Sequence, residues 1–178
     1  MKYKILFLIP LFMLNLPGLA QNMKSELKVV KYVDLKKYVG LWYEIAKIPN
    51  RFQKHCKRGT TAQYRLLDNG KIEVINSCIE ENGEKDLAEG VARVVDASSN
   101  AKLEVSFVSI LGINLFWGDY WIIGLDSGYE YAVIGTPTKK YGWILSRKPK
   151  LSDQKLKEIF EILIEQGYDP QKFEFTEQ

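Results

Sequence analysis

The chain has 178 residues, 46% of them apolar and 26% charged, enough for one domain with a sizeable core. Its formal charge is +3, and Lys2 and Lys4 fall in a leader-like segment, so 25 − 2 = 23 basic residues face 22 acidic ones in the remainder. An excess of +1, with no Lys/Arg cluster interleaved with aromatics, excludes a nucleic-acid footprint.

The first residues read as a leader. A basic start at Lys2 and Lys4 precedes an apolar run from Ile5 to Leu16, and Gly18 and Ala20 supply small residues for cleavage after Ala20. Pro10, Asn15 and Pro17 interrupt that run, which falls short of the ~20 residues a membrane span needs. The expected organisation is a signal peptide over 1–20 and one domain over 21–178. An exported chain with two cysteines can form one bridge. Counting back through the Asp68-Asn69-Gly70 turn sets Cys78 opposite roughly Thr61, within reach of Cys56, and a bridge there would contribute ~3 kcal/mol. Two free thiols, or a reactive Cys56 beside His55, are the alternatives.

Residues 22–39 read as an extended lead-in, with a turn at Asp34 to Tyr38 closing one end of the fold. The first strand, about 41–48, follows Gly40 and places Trp42, Glu44 and Ala46 on one face. After a polar loop to Gly59, strands at 60–67 and 71–78 are joined by Asn69-Gly70, a strong hairpin signal. A fourth strand covers 86–96. The fifth, 102–109, sets Leu103, Val105 and Phe107 against Lys102, Glu104 and Ser106. Ile110 to Trp117 reads as an apolar loop, and strands at 119–125, 130–136 and 142–147 complete the series.

Eight antiparallel strands with hairpin-length links predict an all-β, up-and-down barrel wide enough for one small ligand. Leu156, Ile159, Phe160, Leu163 and Ile164 then recur at helical spacing between Ser152 and Gly167, an α-helix for the barrel's outer wall. The tail, 172–176, alternates again and adds a short strand to an edge.

Propagating the face of Trp42 across each hairpin gives the expected cavity lining. The early strands contribute Glu44, Ala46, Ala62, Tyr64 and Leu66, then Ile72, Val74 and Asn76, then Gly90 and Ala92. From the later strands come Leu103, Val105 and Phe107, Tyr120 and Ile122, Ala132 and Ile134, and Trp143 and Leu145. Small residues at Ala46, Ala62, Gly90, Ala92 and Ala132 leave room that a solid core would fill. Glu44, Asn76, Tyr64 and Tyr120 are the polar groups of this list, suited to a ligand headgroup or to buried water. With His55 the only histidine, most hydrolase triads and multi-histidine metal sites are excluded, and no spacing suggests a metal or cofactor.

Gly40-Leu41-Trp42 together with Trp143 to Arg147 resembles the lipocalins, whose first strand carries G-x-W and whose last barrel strand ends in an arginine lying across that tryptophan. Gly118-Asp119-Tyr120, followed by Leu125-Asp126, resembles the family's second signature. Asp68 to Asn76 and Trp143 to Pro149 are most similar to the bacterial lipocalins of the outer-membrane lipoprotein type and to the apolipoprotein D branch. The resemblance implies the eight-stranded barrel, a structural set of Gly40, Trp42 and Arg147, and reversible, non-catalytic binding of a fatty acid, lysophospholipid or similar lipid. Many bacterial members are acylated on a cysteine directly after the leader. Here the first cysteine is Cys56, so that anchor is not carried over, and a periplasmic or secreted protein follows, with outer-membrane association left open. Two other functions stand beside the carrier: an exported lipid- or isoprenoid-modifying enzyme in the same barrel, and a protein-binding module using the open-end loops. The Ile110 to Trp117 segment reads as a lid, a transient membrane contact or a dimer surface, and the chain as a monomer or homodimer.

Overall fold

A computed structural model describes residues 26–178; the leader and its cleavage after Ala20 lie outside the described residues. Eight strands wind antiparallel in chain order: β1 (Gly40–Lys47), β2 (Cys56–Leu66), β3 (Ile72–Glu80), β4 (Lys85–Val94), β5 (Lys102–Ser106), β8 (Gly118–Leu125), β9 (Tyr131–Gly135) and β10 (Gly142–Ser146). Pairing of β10 with β1 closes the barrel, so its wall has no free edge along that seam. Between β5 and β8 stand two short strands, β6 (Val108–Ile110) and β7 (Ile113–Leu115), paired only with each other. The last strand is β11 (Glu174–Phe175).

Two helices hold the ends and the outside. The four-residue α1 (Leu35–Tyr38) starts at Asp34, whose side chain accepts the Lys36 N–H at 2.9 Å. The lead-in before it is tied across the floor by the Val30 N–H on the Ile122 carbonyl and the Val33 N–H on the Ser99 carbonyl. Helix α2 (Asp153–Glu165), capped by Ser152, presses Ile159 and Leu163 onto Ile123, Val133 and Ile144 of the outer wall. Buried apolar residues accordingly form two clusters, one inside the barrel around Trp42 and one between wall and helix.

Three details differ from the sequence-based expectation. Strand five ends at Ser106 rather than 109, and the apolar loop is a β-hairpin with Leu111 (φ 51°) and Gly112 (φ 79°) at its tip. Strand β2 begins at Cys56 because two register shifts accommodate residues 57–60 within the ladder. The tail does add a short strand to an edge, and that edge is the stretch of β1 beyond its pairing with β2. β1 pairs with β2 only from Gly40 to Tyr43, and where the two diverge β11 bonds to Ala46 and Lys47 while Glu177 bridges to Arg58.

The third difference concerns Ala46, expected to line the cavity. A bulge between Glu44 and Ala46 adds one residue to β1, which exchanges the faces of everything beyond it. Ala46 therefore joins Ile144 and Phe173 in the cluster under the helix. Lys47, opposite Trp143, occupies the inner face in its place.

Candidate functional site

At the closed end, the Arg147 guanidinium carbon lies 3.8 Å from the centre of the Trp42 ring. Arg147 also donates to the carbonyls of Lys37 (2.7 Å), Tyr38 (3.0 Å), Val39 (3.0 Å) and Leu41 (2.7 Å). The first three have no partner within α1 where it stops, so the guanidinium acts as a helix cap as well as a lid on the indole. Gly40 has φ 101°, and a Cβ there would stand 3.3 Å from Arg147 Nη1, which explains a glycine two residues before the tryptophan. The Trp42 indole N–H donates to the Tyr38 carbonyl at 2.7 Å, so the polar edge of the plug is satisfied.

Above this plug three phenols converge. The Tyr120 hydroxyl lies 2.7 Å from that of Tyr38 and 3.0 Å from that of Tyr64. Their rings pack in a chain, Tyr38 to Tyr64 at 5.8 Å and Tyr64 to Tyr120 at 6.2 Å between centroids. Burial pushes the Tyr64 hydroxyl up to about 12 and those of Tyr38 and Tyr120 well above the ordinary tyrosine value, so all three are neutral at physiological pH. Tyr38 was not anticipated; it lies on α1, and strand alternation gives no signal for a residue on the plug.

Toward the open end stands a buried carboxylate. Glu44 accepts from Lys47 Nζ (2.8 Å), Gln53 Nε2 (2.6 Å) and Thr176 Oγ1 (2.7 Å), while the Trp143 indole N–H donates to Gln53 Oε1 at 2.9 Å. Gln178 adds a bond from its amide to the Glu44 carbonyl at 2.6 Å. Four elements therefore meet on one side chain: β1, the loop after it, the C-terminal tail and, through Gln53, β10. This carboxylate is held by the protein's own donors. Lys47, Gln53 and Thr176 escaped prediction because a bulge, a loop and a remote tail bring them together.

The remaining expected lining divides by height. Ala62, Val74, Ala92, Leu103, Ile122, Ala132, Ile134 and Leu145 are buried in the inner cluster, with Ile72, and Leu66 packs against it. Nearer the mouth Asn76, Gly90, Val105 and Trp143 are only half-buried, as is Tyr120 above the plug. Phe107, expected within strand five, stands just past its end and is 44% exposed. Its ring lies over Gly90, where a Cβ would sit 2.7 Å from both Phe107 Cδ1 and the Ser106 carbonyl oxygen. Apart from Glu44, which its own donors cover, the inward positions nearest the mouth are thus less buried than the cluster below them.

The rim carries the β6–β7 hairpin. Leu111 is 98% exposed, Phe116 82%, Ile113 64% and Ile110 56%. Leu111 and Phe116 also hold left-handed backbone angles (φ 51° and 57°), unusual for bulky residues. On the same rim His55 Nε2 pairs with Asp86 Oδ2 at 2.9 Å, and Cys56 is bonded to Cys78 with 5.5 Å between their Cα atoms. The disulfide removes the reading of Cys56 as a thiol nucleophile. Among the described residues no helix is long and apolar enough to cross a membrane.

A family model described as a lipocalin-like domain matches residues 33–178. Temperature-induced lipocalin-1 of Arabidopsis thaliana is 40% identical over 158 residues, covering 87% of this chain and 84% of that protein. Outer membrane lipoprotein Blc of Escherichia coli K12 is 37% identical over 151 residues, covering 84% and 82%. Among solved structures, insecticyanin of the tobacco hornworm Manduca sexta superimposes with a TM-score of 0.70 at 25% identity, covering 86% of this chain and 85% of that one.

Proposed function

This chain belongs to the lipocalin family, and from that premise we propose that it carries a fatty acid, lysophospholipid or similar lipid reversibly within the barrel, without catalysis. The observation that carries the reading is the incomplete burial of the inner face: positions that alternation directs inward stay partly accessible at Asn76, Gly90, Val105, Tyr120, Trp143 and Phe107. The alanines at 62, 92 and 132 below them add width. Burying 12 to 15 methylenes at ~0.8 kcal/mol each supplies ~10 to 12 kcal/mol. Ordering the lipid costs ~4 kcal/mol or more, leaving roughly micromolar affinity. Non-catalytic binding accords with the chemistry present, since Glu44 is saturated by three donors and the two cysteines are bridged.

Loading is assigned to a membrane surface. The hairpin tip offers four large apolar side chains to solvent, and the same open end of the barrel carries Arg51 and Lys54 in the loop after β1 and Lys57 and Arg58 at the start of β2, a combination suited to an anionic bilayer. Export is part of the same reading, supported by the Cys56–Cys78 bridge, by the leader-like 1–20 and by a relative that is an outer membrane lipoprotein. Native mass spectrometry of protein from its own host, with denaturing release of its cargo, is expected to yield a lipid. Ala92→Trp should abolish uptake of a fluorescent acyl probe with the fold retained. Unchanged probe affinity in that variant would refute the cavity. Leu111→Asn with Phe116→Ser should reduce co-flotation with phosphatidylglycerol-containing vesicles, and undiminished flotation would refute the docking assignment.

A further inference from the structure

The proton inventory of the tyrosine cluster does not close. Three phenols bring three O–H hydrogens, and two contacts, Tyr38 to Tyr120 and Tyr120 to Tyr64, use two of them. No other described side chain or carbonyl accepts from these hydroxyls, so one hydrogen is left over whichever way the chain of bonds runs. Tyr120 lies on the inner face yet is only half-buried, so the cluster borders the accessible part of the interior. We propose, resting on the carrier reading above, that this remaining hydrogen donates to a neutral carbonyl oxygen at the leading end of the bound lipid.

Charge selects the neutral acceptor. The Glu44 carboxylate opposes a second anion at Tyr64; the Arg147 guanidinium favours one at Tyr38 and Tyr64, but from a distance, because its bonds go to four backbone carbonyls and its face to the Trp42 ring. A carboxylate pushed down to the phenols would be buried with no cation bonded to it, whereas a ketone, aldehyde or ester oxygen needs only the one donor. The inference separates lipids that carry an oxygen at the end entering first from plain acyl chains of the same length.

The test is competition against a fluorescent acyl probe by hexadecan-2-one and hexadec-1-ene. The ketone is expected to compete about fivefold better than the alkene, one hydrogen bond's worth. Its infrared carbonyl band should lie at lower wavenumber in the complex than in hexadecane. Equal competition with an unshifted band overturns this inference and leaves the carrier intact; failure of both competitors overturns the carrier itself. A Tyr→Phe change at 38 or 64 still leaves one unused donor and a change at 120 leaves two, so the preference persists. In the triple variant Tyr38→Phe/Tyr64→Phe/Tyr120→Phe it falls to about one, and a preference surviving there refutes the assignment. Should the triple variant not fold, the infrared band of the unaltered protein decides alone.

Discussion

Replacing Arg147 separates its two duties at the closed end. The guanidinium covers Trp42 at 3.8 Å and shares its hydrogens among four carbonyls, three of them left by the end of α1. Stacking on the buried indole contributes ~1 kcal/mol, and the charge-assisted bonds ~1.5 to 3 kcal/mol together, since the freed carbonyls regain some water. Arg147→Met should therefore lower unfolding free energy by about 3 kcal/mol. Arg147→Lys should cost about 2 kcal/mol: an ammonium retains the charge but, as a point donor, cannot span Leu41 and residues 37–39 at once. Against a domain stability of ~5 to 15 kcal/mol both are large. Urea unfolding followed by tryptophan fluorescence measures them, with the denaturant slope unchanged if only the native state is affected. A lysine variant within ~0.5 kcal/mol of the parent would show that the forked geometry contributes nothing and would refute the reasoning.

The Cys56–Cys78 bridge closes a segment with a sequence separation of 22, so its removal as a double serine variant should cost about 3 kcal/mol, read from the urea midpoint under matched conditions. Gly90→Ala drives a methyl to 2.7 Å from the Ser106 carbonyl oxygen, which backbone pairing of β4 with β5 holds in place; a loss of ~1 to 3 kcal/mol is expected, and an unchanged melting temperature would contradict it. Alkaline pH supplies a further test. The folded pKa of Tyr64 is raised from the ordinary 10.0 to about 12, and those of Tyr38 and Tyr120 are raised well above 10.0. Their linkage is therefore fully stabilising below pH ~10 and is lost as pH rises above it, for Tyr64 through about 12. Tyrosinate absorbance should show these three titrating late, together with unfolding; a single step near pH 10 with the fold intact would disprove their burial.

Local information made most of the scaffold readable. Alternation, the Asn69-Gly70 turn and the Ser152-capped helical spacing are properties of neighbouring residues, and strands β3, β8, β9 and β10 and helix α2 stand within about two residues of where the pattern puts them. The pairing of Trp42 with Arg147 was legible through the family resemblance. What failed was whatever depended on one added residue or on distant chain. The bulge in β1 reversed the face of Ala46 and delivered Lys47 to Glu44, and no composition signal marks a bulge. The hairpin at 108–115 was missed because its turn uses Leu111, where Asn or Asp ordinarily signals the left-handed angle.

The sequence by itself determined an antiparallel barrel, its outer helix and its pair of cysteines, because strand period, helix period and turn chemistry act over a few residues. Only the tertiary structure decided that Tyr38 from the plug meets Tyr64 and Tyr120, and that the C-terminal tail fills the gap between β1 and β2 to hold Glu44. Those contacts join residues 56 to 132 positions apart, and such pairings are set by barrel closure and long-range packing, which no local pattern encodes.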